Sequence, residues 1–218
     1  MQLRRITTVA LVTALALSGV AEAKVRPPKP TPPSCLMVTD PAGDARPFAG
    51  LSKTAAAWST VAAGDPSLDV VSADVASDGV LVTFAIRLKQ LVAWAPGGAF
   101  STGGRNWQAS IHAGPDLNLS VGAYDGPLGI QYTKNFITGN FDYAKSEIRI
   151  SAPVAKYPEL NIKKGMVLSG LSIKTATVIQ TDPSTTASYG VATGDQEDDA
   201  TSTALYTVGK PSCLKVAL

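Results

Sequence analysis

Histidine is all but missing from this chain of 218 residues, which contains His112 and no other. A Ser-His-Asp triad or a multi-histidine metal site needs more than this offers. There is also no Gly-x-Ser-x-Gly, no His-Glu-x-x-His and no phosphate loop, so the common hydrolase, zinc-peptidase and nucleotide-binding signatures are absent. His112 falls in a predicted strand, on its polar side with Asn106, Gln108 and Ser110, and reads as a solvated residue. The chain is therefore expected not to be an enzyme. A glycosidase built on two carboxylates, which need not be near in sequence, is the remaining catalytic alternative.

Long apolar runs are missing as well. The longest, Ile6 to Leu17, carries three threonines and is too short for a bilayer, where a helix needs about 20 apolar residues. It does have the layout of an export signal: Arg4 and Arg5 ahead of it, and Ala21-Glu22-Ala23 behind it with small residues where a signal peptidase reads. Residues 1–23 are expected to be a cleaved signal peptide, the Arg4-Arg5 pair leaving a twin-arginine route as the alternative to general secretion. No second such run follows, so no membrane span is expected. Residues 24–34 (Lys-Val-Arg-Pro-Pro-Lys-Pro-Thr-Pro-Pro-Ser) form a proline-rich tether, either extended polyproline II or an unstructured N-terminus. Residues 35–218 suit one domain with a real core.

Basic charge is not in excess. Without Arg4, Arg5 and Glu22 the chain keeps 17 basic and 16 acidic residues, and without the tether's Lys24, Arg26 and Lys29 it keeps 14 and 16, net −2. A domain of that charge has no general field for phosphates, so nucleic acid is not an expected partner.

Cysteine is limited to Cys35 and Cys213, each in a Pro-Ser-Cys-Leu context at opposite ends of the domain. In an oxidising compartment such a pair usually bridges. Closing a loop of more than a hundred residues is worth roughly 5 kcal/mol in the chain-entropy model. Free or metal-bound thiols are the alternative.

Alternation is what the sequence has in abundance. Val80, Val82, Phe84, Ile86 and Leu88 share one side of a predicted strand with Thr83 and Arg87 on the other, and Val71, Ala73 and Val75 alternate with Ser72 and Asp74 before it. Ser77-Asp78-Gly79 between the two runs predicts a hairpin, since both turn residues tolerate positive φ. A second hairpin is predicted from Trp107, Ala109, Ile111 and Ala113, through Gly114-Pro115-Asp116, to Leu117, Leu119, Val121 and Ala123. Further strands are expected at 128–134, 147–152, 167–177 and 204–208, separated by turns at Asp125-Gly126-Pro127, Gly139-Asn140 and Lys164-Gly165. Pro153 to Leu160 is helix-like but short, and Thr54 to Ala63 is alanine-rich without an apolar stripe. Many short strands and few helices predict an all-β fold, an antiparallel, jelly roll-like β-sandwich with its terminal strands joined by the disulfide.

The acidic loops carry the strongest hint of chemistry. Asp40-Pro41-Ala42-Gly43-Asp44 and Gly64-Asp65-Pro66-Ser67-Leu68-Asp69 mix carboxylates with backbone carbonyls, the oxygen-rich supply that calcium wants. Asp-Pro and Gly-Asp are also ordinary turn formers. Gly194-Asp195-Gln196-Glu197-Asp198-Asp199 packs four acids together, either solvated or neutralised by a cation.

The opening of the domain resembles a known family. Asp40-Pro-Ala-Gly-Asp44, then Leu68-Asp69-Val-Val-Ser-Ala-Asp-Val75, Asp78-Gly79 and Val80 to Leu88 are similar to the start of DOMON-like, family 9 carbohydrate-binding-type β-sandwich modules. The C-terminal module of glucodextranase-type enzymes is similar there too. The resemblance spans Thr39 to Leu91; beyond that only the strand pattern agrees. It implies a jelly roll without catalytic machinery and a structural calcium, for which Asp40, Asp44 and Asp69 are the matching positions. Trp58 and Trp94 lie in predicted loops, where they either stand clear for a sugar or plug the end of the fold. The expectation is a secreted, calcium-supported binding module, extracellular or at the cell surface, that contacts polysaccharide or an envelope component. The alternative is a structural or protein-interaction domain of the envelope with no sugar site.

Overall fold

A computed structural model describes residues 37–45, 65–95, 104–178 and 198–210. The signal, the tether, Cys35, Cys213, Trp58, the alanine-rich segment at 54–63 and residues 194–197 of the acidic run lie outside these residues. Within them the chain is mostly strand: β1 (Val38–Thr39), β2 (Val70–Ser77), β3 (Leu81–Leu88), β4 (Gly104–His112), β5 (Asn118–Asp125), β6 (Gln131–Tyr132), β7 (Thr138–Asp142), β8 (Glu147–Pro153), β9 (Val167–Val178), β10 (Asp198–Thr201) and β11 (Tyr206–Thr207). The helix-like stretch folds as two 3-10 turns, Val154–Lys156 and Pro158–Leu160. No helix among the described residues is long and apolar enough to cross a membrane.

Two antiparallel sheets result. One runs β1-β2-β3-β8-β7, the other β10-β9-β4-β5-β6, with β11 beside β9. The first hairpin forms as its sequence predicts. Asp78 Oδ1 accepts from Val80 N (2.7 Å) and Leu81 N (2.9 Å), and Gly79 takes φ +92°, closing the turn. Val82, Phe84 and Ile86 then sit opposite Ser77, Val75 and Ala73, with Ile150 and Ile148 across the next ladder. Val80 is not part of that row and stands 69% exposed. The second hairpin buries Trp107, Ala109, Ile111, Ala113, Leu119, Val121 and Ala123 as expected, while Leu117 turns outward. Side chains of both sheets share one core, and the Trp107 ring of β4 meets Phe141 of β7 edge-on, centroids 5.4 Å apart.

Four sequence expectations need correction. A bulge between Val70 and Ser72 makes Val70, not Val71, the inward residue at the start of β2. On the other side of the first sheet Thr83, Ala85 and Ser151 are buried too, Thr83 Oγ1 lying 2.8 Å from Ser151 Oγ. Beside them Arg87 joins Asp74 (2.9 Å) to Glu147 (3.0 Å). The strand expected at 128–134 shrinks to Gln131–Tyr132, and that at 204–208 to Tyr206–Thr207. Gly139-Asn140 is not a turn but the middle of β7.

Glycine sits at 139 for space. A Cβ there would lie 2.4 Å from Arg149 O and 2.5 Å from the Tyr132 ring, which rests on the bare backbone. Gly139→Ala is expected to cost about 1–3 kcal/mol, the usual range for overpacking, read as a lower urea midpoint; an unchanged midpoint would mean that both Tyr132 and the β7–β8 backbone yield without cost.

Candidate functional site

The strand pairing gathers several loops at one end of the molecule. Val70 of β2 opposes Leu88 of β3, Arg87 opposes Glu147 of β8, Gly104 of β4 opposes Val178 of β9, and Arg105 opposes Asp125 of β5. The segment Asp65–Asp69 runs between the sheets there. Ser67 O accepts from Trp107 Nε1 (2.8 Å) and Leu68 O from Thr175 Oγ1 (2.7 Å), with Leu68 fully buried.

Asp40 and Asp44 lie at this end, and the bulge in β2 helps to place them. Asp40 N donates to Val71 O, the bulged carbonyl (2.9 Å), and Gly43 N donates to Asp69 Oδ2 (2.7 Å), folding the loop back on itself. Gly43 adopts φ +99°, a backbone conformation that suits glycine. Asp198, the first residue of β10, reaches across from the other sheet. Its Oδ2 accepts from Val70 N at 2.7 Å, and its Oδ1 accepts from Asp199 N at 2.8 Å. Asp40, Asp44 and Asp198 then each offer a carboxylate oxygen within 4.8 Å of the others. The third acidic run therefore joins the first acidic loop, which sequence spacing had not linked to it.

Asp69, the other residue matched by the resemblance, stands behind the loop. Its Oδ2 is engaged by Gly43 N and by Lys89 Nζ (3.4 Å), and its Oδ1 is buried. Neither that oxygen nor the buried Asp40 Oδ2 meets a hydrogen-bond partner. A buried acceptor left in this state costs about 1–3 kcal/mol, more when charged.

Proton affinities follow from the crowding. Burial, then the Asp44 charge, raise Asp40 above the usual carboxylate range; a hydrogen bond with Asp198 opposes the shift, and the charges of Asp69 and Asp199 add to it. Burial raises Asp198 to about 6; the Val70 N–H opposes the shift, and the charges of Asp40 and Asp44 reinforce it. Without a cation, Asp40 and Asp198 thus hold more proton in the native than in the unfolded chain, for Asp198 between pH 3.8 and about 6. The stability these two groups contribute is therefore expected to fall as pH rises through that window. Asp78 and Asp142 are lowered and act only at more acidic pH. In chelator the urea midpoint is expected to be higher at pH 5 than at pH 7. A higher midpoint at pH 7 would mean that Asp40 and Asp198 are not the proton holders.

Trp94 and His112 complete the residues singled out in the sequence. Trp94 is half-buried at the same end as the acidic loop; its backbone N donates to Asp125 Oδ2 (3.0 Å) and its buried Nε1 meets no partner. It neither stands fully clear nor fully plugs the end. His112 is exposed on β4 as expected, with its ring over Gly170.

Comparison with known proteins finds no matching family model, no matching curated protein and no matching solved structure.

Proposed function

We propose that this chain is a secreted, non-catalytic binding module, exported by its N-terminal signal, that uses a bound calcium ion to hold its loop end together and contacts polysaccharide or an envelope component outside the cell. In this reading the two sheets form a jelly roll-like sandwich, with Cys35 and Cys213 bridged. The observation that carries the cation is the set of oxygens at Asp40, Asp44 and Asp198, together with the unpartnered buried oxygens of Asp40 and Asp69. Five carboxylates (Asp40, Asp44, Asp69, Asp198 and Asp199) meet two ammonium groups, Lys89 on Asp69 and Lys174 on Asp199, among the described residues, an imbalance that a hard divalent ion corrects. Asp198 belongs to one sheet and Asp40 to the edge of the other, so an ion held by both would fasten the sheets to each other. Trp94 beside this end, and Trp58 in the sequence, are the aromatic contacts the reading offers a sugar.

Retention on insoluble polysaccharides in calcium, lost in chelator, is the expected result. No retention on any polysaccharide would favour the envelope interaction domain over a sugar-binding one.

A further inference from the structure

The far end of the sheets carries the opposite charge. β2 runs there from Val70 to Ser77, and β9 starts there at Val167 before returning to Val178. Three turns meet at this end. Gly209 N donates to Ser77 O (2.8 Å), Gly165 N to Val208 O (2.9 Å) and Val208 N to Met166 O (2.8 Å). A Cβ on Gly209 would lie 2.7 Å from Lys164 Cγ, and one on Gly79 would lie 3.4 Å from Lys164 N. This close approach gathers Lys163, Lys164 and Lys210 on exposed turns. None of their three ammonium groups pairs with a carboxylate among the described residues. Val154 N donates to Val80 O (2.8 Å), which brings the 3-10 turns with Lys156 and Glu159 to the same end. Four lysines there stand against Glu159 and Asp78, net +2, and Asp78 spends its Oδ1 on Val80 N and Leu81 N.

Exposed aliphatic side chains flank these lysines. Val80 follows Gly79 and is 69% exposed. In the β9–β11 ladder Tyr206 and Val208 are buried, so Leu205 and Thr207 point outward, and Val167, opposite Thr207, shares their side. Leu205 is 70% exposed and Val167 49%.

We propose that this end is a second contact surface, separate from the acidic loops, that docks onto an anionic lipid membrane. Lys163, Lys164 and Lys210 meet the headgroup phosphates, while Val80, Val167 and Leu205 enter the boundary between headgroups and acyl chains. Lysines near an anionic leaflet are attracted to it within a Debye length, and apolar side chains gain from burial at its edge. A soluble anionic polymer would use the charge but leave the three aliphatic side chains in water. Docked in this way, the like-charged loops of Asp40, Asp44 and Asp198 face away from the membrane.

The test is co-sedimentation of the exported chain with vesicles of phosphatidylglycerol and phosphatidylcholine in equal parts. Chelator is present, so that no cation bridges the acidic end to lipid phosphate. Binding is expected to these vesicles and not to phosphatidylcholine alone. Lys164→Gln and Lys210→Gln should each weaken it about fivefold, and the triple variant with Lys163→Gln about a hundredfold. Leu205→Ser should weaken it severalfold, while Lys145→Gln at the acidic end leaves it unchanged. All of these side chains are exposed, so the variants keep the urea midpoint of the parent. Binding that survives the triple variant, or that is as strong on phosphatidylcholine alone, overturns the docking end. Binding that needs the lysines, ignores Leu205→Ser and is competed away by polygalacturonate assigns the end to an anionic polymer and overturns the membrane. No sedimentation with either vesicle overturns the proposal as well.

Discussion

Calcium is expected to raise the unfolding midpoint of the protein by about 5–10 °C over the chelated form. A ligand that binds only the folded state, present at a hundredfold excess over its Kd, adds about 2.7 kcal/mol, and 1 kcal/mol moves the midpoint of a chain this size by roughly 2–4 °C. Asp198→Asn is expected to remove most of this response, because it takes the charge of the one buried member of the three clustered carboxylates. Its effect without calcium has the opposite sign from an ordinary loss. The amide oxygen can still accept from the buried Val70 N, giving up only the bond from its neighbour Asp199 N, while the charge that burial and Asp40 penalise is gone. In chelator at pH 7 the variant should therefore match or exceed the parent. An aspartate serving only as a strand cap would show neither the lost response nor the retained stability. Asp142→Asn is the control: Asp142 pairs with Lys145 at 2.7 Å beyond β7 and should leave the calcium shift intact. A midpoint indifferent to calcium would return Asp40 and Asp44 to the role of turn residues.

What the sequence made legible here was local. Period-2 alternation placed β2 through β5, β8 and β9, and Asp78-Gly79 placed the first turn, because each signal depends on neighbours a few residues away. The features that were missed depend on distant partners. Nothing near Val71 announces that the ladder slips there, yet that slip exposes the carbonyl that anchors Asp40. Asp198 looked like one acid among several; its role follows from pairing with Val70, 128 residues earlier. Gly139-Asn140 has turn chemistry, but Tyr132 from the other sheet needs the glycine's bare backbone. A short edge strand such as β7 has too few residues for alternation to outvote a turn-forming pair.

Removing Arg105 is expected to destabilise the protein by about 3–5 kcal/mol, the range for breaking a buried ion pair by deleting one partner. Both side chains of the pair are 4% exposed. Arg105→Met would leave the Asp65 carboxylate desolvated and uncompensated, with Val92 O also losing its donor. Asp65 cannot easily turn to water, because its Oδ1 accepts from Ser67 N at 2.9 Å and holds the segment whose carbonyls take the Trp107 and Thr175 donors. The cost should lie in the orphaned charge rather than in the lost contact. Asp65→Asn keeps an oxygen for Ser67 N, so the double variant Arg105→Met/Asp65→Asn should recover about 2 kcal/mol, a coupling expected of groups in one network. Urea unfolding of parent, single and double variants measures all three values. Additive losses would show that the pair is not coupled and that Arg105 matters through its packing alone. The recovered coupling would instead identify the ion pair as what fixes the loop end, because Asp65 opens the segment that supports Asp69 on one side and Arg105 stands opposite Asp125 on the other.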